Sequence, residues 1–199
     1  MIRVILKVNV YRYIVGLNYK IKTMKAAIFY TGKFGSTKKY AYWINERCSF
    51  PVFDLNKENP DPEAYDLLVL GSSIMISRPT IQKWLNKNWP KIKDKPILLF
   101  TVSGAKPGHP DLQKWLENSF SGEILKQIEY VPLRGRLALK ELPWYIRFSL
   151  KFAARVEKDP EIKKRMSEGF DYMDKHSIGP ILEWIGEKQT DEYEVQLVI

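Results

Sequence analysis

Three short segments of this chain concentrate residue types that hold an anion or a planar ring without doing acid–base work. The first is Thr31-Gly32-Lys33-Phe34-Gly35-Ser36-Thr37. Its glycines let the backbone fold back so that several N–H groups point inward. Its hydroxyls add donors, and a helix starting directly after it contributes about half a positive charge at its N-terminus. Such a loop can hold a phosphate dianion. It lacks the Gly-Lys-Ser/Thr ending of a Walker loop and is not GxGxxG. An ordinary Ser/Thr helix cap has the same composition, so the loop alone leaves both readings open. The second segment is Ser72-Ser73-Ile74-Met75, continuing to Arg78, and the third is Ser103-Gly104-Ala105, continuing to Pro110. Both are rich in small and hydroxyl residues. Ile74 and Met75 offer apolar contact to a ring, or simply pack their own loop.

Little else in the chain suggests catalysis by side chains. The two histidines are His109, in the third segment, and His176. A lone loop histidine is more often exposed than catalytic. The single cysteine, Cys48, falls on a helical pattern and excludes an internal disulfide. That suits a reducing, cytosolic setting. No catalytic residue and no metal site is assigned.

The elements that position these segments follow from periodicity. Lys25–Tyr30, Pro51–Leu55, Asp66–Ser72, Pro96–Val102 and a run near Ile128–Leu133 read as short, mostly apolar strands. Thr37–Arg47, the stretch from Pro79 to Trp89 with Pro90 as its stop, Asp111–Phe120, Pro143–Val156 and Ile178–Lys188 read as helices. Lys158–Lys175 reads as polar loop or loose helix. Apolar strands alternating with helices predict an α/β fold, a parallel sheet covered on both faces. Five strands suit the doubly wound, flavodoxin-like order 2-1-3-4-5. In that order all three segments leave the carboxyl ends of strands where the order reverses, which is where such sheets bind ligands.

Residues 24–188 resemble the flavodoxin superfamily, and within it the branch of menaquinone-dependent protoporphyrinogen dehydrogenases. The likeness rests on Ile28-Phe29-Tyr30-Thr31 leading to Gly35-Ser36-Thr37, on Tyr65-Asp66 before Leu67–Leu70, and on Gly71-Ser72-Ser73-Ile74. Phe100-Thr101-Val102-Ser103 also fits. The late stretch Gly135-Arg136-Leu137, Trp144-Tyr145, Arg147-Phe148 and Lys151 separates this branch from ordinary flavodoxins. The resemblance implies FMN, held without a covalent bond. It implies that Thr31, Gly32, Lys33, Phe34, Gly35, Ser36 and Thr37 surround the phosphate. Ser72, Ser73, Ile74 and Met75 would then lie along the isoalloxazine ring, and Ser103, Gly104 and Ala105 would close its other side. It further implies an oxidoreductase acting on a small-molecule redox substrate or a quinone. One departure is that Gly32 stands three places before Gly35, where many flavodoxins have a hydroxyl residue.

Charge and length set further bounds. The 199 residues suit one domain, and 45% apolar with 28% charged is globular. The net charge is +9; residues 1–23 supply five of these charges with no acid, which leaves +4 on the rest. No nucleic-acid motif accompanies the charge, so no nucleic-acid partner is expected. Electron-carrier flavodoxins are usually strongly acidic, and a body of +4 argues against that role. A flavin-free interaction module is the remaining alternative. Pro143–Val156 carries aromatics at near-helical spacing with Arg147, Lys151 and Arg155 at spacing four. It reads either as a core-facing helix with a solvated basic side or as a basic amphipathic helix for an anionic membrane surface. Residues 1–23 form a basic extension with a strand-like pattern. Either they pair with the strand-like tail Glu192–Ile199, or translation starts at Met24.

Overall fold

The computed structural model describes residues 24–195, with side chains to residue 190. The expected pairing of the two end segments therefore lies outside the described residues, apart from the start of the tail. Five parallel strands form the frame: β1 (Ala26–Thr31), β2 (Val52–Asp54), β3 (Leu67–Met75), β5 (Ile97–Ser103) and β6 (Ile128–Arg134). They lie side by side as β2-β1-β3-β5-β6, the expected order. A two-residue strand, β4 (Arg78–Pro79), folds back antiparallel on β3.

Every residue of β1 is buried, as are the first six of β3 and of β5. Strand side chains alternate between faces, so two cores result. Ala26, Ile28 and Tyr30 face α1 (Ser36–Cys48) and α7 (Gly179–Val195), through Tyr40, Ile44, Ile181 and Ile185. Ala27 and Phe29 face α2 (Gln82–Ile92), α3 (Pro110–Glu117) and α4 (Gly122–Gln127), through Ile81, Leu85, Leu116 and Ile124. Gly71 is required in the middle of β3, because a Cβ there would stand 2.4 Å from the Phe100 ring.

Registers align the carboxyl ends. Thr31 pairs with Ser72, Ser72 with Thr101, Ser73 with Val102, and Ser103 with Arg134. One rim of the sheet thus gathers all three segments.

Several expectations need correcting. Pro90 does not stop α2; it sits inside the helix, two residues before its end. The buried Trp89 and Ile92 hold that last turn, and the Trp89 indole donates to Glu123 at 3.1 Å. β3 does not end at Ser72 but continues to Met75 and turns into β4. Residues 158–175 contain a well-capped helix, α6 (Pro160–Glu168), where Asp159 accepts from the Glu161 and Ile162 N–H groups. After it, β8 (Phe170–Asp171) pairs with β7 (Arg136–Leu137). α7 runs to Val195, so Glu192–Val195 is helical rather than strand. Between β7 and α6 lies α5 (Trp144–Val156), whose aromatic residues are exposed, so it is not the core-facing helix one reading expected.

Candidate functional site

α1 begins without a cap. Gly35 occupies the N-cap position with φ +85°, and no side chain caps the helix. No acid stands in the first turn. A Cβ at Gly35 would meet nothing within 4 Å, so the glycine serves the backbone turn and not packing. The first N–H groups of α1 are therefore aimed at the rim with neither a side-chain cap nor a carboxylate to compete for them. Gly32 serves a different need. Its Cβ would lie 3.0 Å from the Thr37 side chain, so a larger residue there would have to push Thr37 aside by a few tenths of an ångström. The departure from the usual hydroxyl thus falls where the loop leaves little room for a side chain.

Two side chains one turn apart on α1 tie down the chain leaving β6. Ser36 Oγ accepts from the Arg136 N–H at 3.0 Å, and Tyr40 donates its hydroxyl to the Arg134 carbonyl at 2.8 Å. Gly135 lies between these anchors; a Cβ there would fall 2.9 Å from Val102. The segment consequently crosses the rim and forms a wall. A second wall comes from β8. The Phe170 ring packs so closely on Gly104 that a Cβ there would stand 2.9 Å from it, and Arg165 Nη1 donates to the Gly104 carbonyl at 2.6 Å.

Between these walls is a cavity of about 130 Å³. Of the expected residues it brings together Phe34, Ser36 and Thr37 from the first loop, Ser73, Ile74 and Met75 from the second, and Ser103 and Gly104 from the third. Lys33 and Phe34 also line a neighbouring cleft of about 570 Å³ with Arg136, Tyr145 and Ile146. Ala105 lies on the far side of the third loop, in a separate cleft with Lys106, His109 and Arg134.

Thr31 and Ser72 are not brought to the cavity. Both are buried, and both bond to Thr80: Thr31 Oγ1 at 2.6 Å and Ser72 Oγ at 3.3 Å. The Ile81 N–H donates to Ser72 Oγ at 3.2 Å. These hydroxyls pin the entrance of α2 to the sheet. Sequence reasoning missed Thr80, Arg165 and Phe170. Only Phe170 left a signal, in Gly169 before it, which turns at φ +79° with its Cβ position 2.4 Å from the Leu137 carbonyl oxygen.

The remaining chemical candidates are accounted for. His109 caps α3, its Nδ1 accepting from the Asp111 N–H at 3.3 Å. Burial pushes the Cys48 thiol above its ordinary value, which makes it a poor nucleophile. Arg136 is paired with Glu141 and, at 3.7 Å, with Asp171, so its charge is already met. Arg134 stacks on the Tyr172 ring at 3.5 Å. Burial and the nearby Asp54 push Tyr30, next to the first loop, up to about 12, so it stays neutral at physiological pH. Among the described residues no His, Cys, Asp and Glu cluster could hold a metal ion.

Residues 27–163, more than half the chain, match the family described as Flavodoxin domain. The chain belongs to that family. No curated protein matches this flavodoxin domain. Solved structures similar to it include the flavodoxin, WrbA-like protein from Agrobacterium tumefaciens (17% identity, 56% of this chain and 82% of that chain, TM-score 0.43). The Trp repressor binding protein from Bacillus subtilis is similar at 14% identity over 72% of this chain and 95% of its own, TM-score 0.42. So is a flavoprotein from Lactobacillus acidophilus, solved in complex with FMN, at 18% identity over 56% and 92%, TM-score 0.39.

Proposed function

We infer that this flavodoxin domain binds FMN without a covalent bond and acts as an oxidoreductase on a small-molecule redox substrate or a quinone. The observation that carries the reading is the start of α1: a left-handed Gly35, no capping side chain and no acid in the first turn. That donor set suits a phosphate dianion. The ring end fits less freely. Small-ligand pockets begin near ~300 Å³, whereas the cavity holds about 130 Å³. Admitting a flavin ring requires Phe170 to swing off Gly104. The Phe170 side chain makes ring contacts only, with Gly104 and with Tyr172 at 5.0 Å, so the ring can turn while its strand stays bonded to β7 and Gly135.

Bound FMN would supply the hydride and electron chemistry itself. The chain's residues hold and shield it. Backbone N–H groups at Ser36 and Thr37 hold the phosphate. Phe34, Ile74 and Met75 keep water from the ring, and Ser73 and Ser103 offer hydroxyls beside it. The likeness of the Gly135–Lys151 stretch to the protoporphyrinogen dehydrogenase branch makes a porphyrinogen the first substrate class to assay, with a quinone as acceptor. The +4 body favours such turnover over an electron carrier that docks on basic proteins.

The test is the visible spectrum after adding FMN and removing free ligand. The wild-type chain is expected to retain oxidised flavin. Gly35→Val forces a Cβ into the left-handed region, a strain of about 1–2 kcal/mol, and should weaken retention roughly tenfold with an unchanged circular dichroism spectrum. A colourless wild-type protein at high FMN would overturn the reading.

A further inference from the structure

α5 presents the wrong face to water. Trp144, Tyr145, Phe148, Phe152 and Val156 are 73%, 57%, 70%, 61% and 70% exposed. They make up most of the exposed large apolar side chains among the described residues, and all sit on one helix. At about 100° per residue they fall within an arc of roughly 120°. The helix packs on α6 through the opposite side, where Ala154 is buried and Ile146, Leu150 and Ala153 are half-buried.

Along one edge of the aromatic arc run Arg147, Lys151 and Arg155. The helix contains no acid. Among the described residues no hydrogen bond or ion pair engages these three cations or Lys140. Lys140, Arg147 and Lys151 instead border a cleft of about 460 Å³ floored by Trp144 and Phe148. Cations around an aromatic floor, beside a broad apolar face, match the headgroup and upper acyl region of an anionic bilayer. A second copy fits poorly, because an isologous contact would set this acid-free basic edge against itself. The helix of 13 residues is about 20 Å long, too short for a hydrocarbon core of about 30 Å. No helix among the described residues is long and apolar enough to cross a membrane.

We propose that α5 lies in the plane of an anionic membrane surface, with its aromatics in the interface and the Lys140–Arg147–Lys151 cleft on lipid phosphates. Tyr145 and Ile146 of the same helix also line the cleft beside Lys33 and Phe34. Docking would therefore set the mouth of the candidate site at headgroup level, within reach of a lipophilic redox partner; that consequence rests on the FMN reading, while the docking does not.

The experiment is co-sedimentation of the full chain, without flavin, with phosphatidylglycerol-containing or pure phosphatidylcholine vesicles. Binding to the anionic vesicles alone, falling with salt and unaffected by millimolar inorganic phosphate, is expected. Phe148→Ser/Phe152→Ser and Arg147→Glu/Lys151→Glu should each weaken it at least about tenfold, with unchanged thermal melts. Brominated lipid should quench wild type more than Trp144→Phe. No partition onto anionic vesicles, partition indifferent to both variants, or a lipid-free dimer that Phe148→Ser dissolves would each overturn the proposal. Because no flavin is present, failure here leaves the FMN spectrum to stand or fall separately.

Discussion

The molecule uses aromatic side chains in two opposite ways. Beneath the sheet, Phe29 packs against Phe53, Tyr65 and Trp84, with ring centroids 5.4–5.7 Å apart. On α5, Trp144 and Tyr145 touch each other at 6.1 Å while most of their surface faces water. The first set removes apolar area from water and stabilises the fold. The second set leaves that gain unrealised in the isolated chain. Composition cannot separate the two, since both are sets of Phe, Tyr and Trp. What separates them is whether a further layer covers the aromatic face: α2 and its neighbours cover Phe29, and no described element covers the outer face of α5.

That contrast gives the largest expected difference. Phe100→Ala empties a fully buried site and should cost about 3–5 kcal/mol. Phe148→Ser, exposed, should stay within about 0.5 kcal/mol of wild type. Urea denaturation measures both. A cost above 2 kcal/mol at Phe148 would mean that the aromatic face of α5 is packed in solution, and the contrast would collapse.

How far the residues themselves disclosed this arrangement depended on the same distinction. The strands were legible because burial on both faces makes them continuous apolar runs, and their order followed from alternation with helices. The rim was legible because stretches rich in Gly, Ser and Thr, at 31–37, 72–75 and 103–105, stand at the carboxyl ends of three apolar runs. Thr80 and Phe170 were not. Their roles come from contacts spanning 49 residues to Thr31 in one case and an approach to Gly104 in the other. Thr80 has no local pattern, and Phe170 has only the glycine before it, Gly169. Thr31 and Ser72 misled for a related reason: a hydroxyl at a strand end serves equally a ligand or a neighbouring hydroxyl, and Thr80 takes both. On α5, periodicity found the helix and both of its faces, but nothing within those 13 residues says which face α6 covers.

The second comparison sets the two walls of the cavity against each other. The Gly135 wall is bonded to α1 by Ser36 and Tyr40, and the Phe170 strand is held to it by the ribbon, the Tyr172 N–H on the Gly135 carbonyl and the Arg136–Asp171 pair, whereas the Phe170 side chain itself makes ring contacts only, with Gly104 and Tyr172. If Phe170 must move for a flavin ring to enter, Phe170→Ala removes that step. FMN should associate several-fold faster, and apparent affinity should rise as the competent state becomes the resting state. Stopped-flow quenching of flavin fluorescence measures it. Slower association in Phe170→Ala would make the ring a stacking partner of the flavin and not an obstacle.

The smallest effect concerns the tip of the β3–β4 hairpin, beside the otherwise well-packed second loop. Ile76 and Ser77 both take left-handed backbone, with φ 49° and 59°. A two-residue hairpin with both φ positive favours Asn-Gly, and a β-branched residue in that region is strained by about 1–3 kcal/mol. Ile76 is 94% exposed, so its side chain recovers almost nothing by packing. Ile76→Asn should therefore stabilise the fold by about 1 kcal/mol, raising the urea midpoint without changing the slope. Strain kept where packing does not require it points to use at the neighbouring site. The stabilised variant should then hold FMN no better than wild type, or less well, because Met75 lies one residue from the tip and lines the cavity. A variant both more stable and tighter for FMN would show that the strained turn contributes nothing to binding.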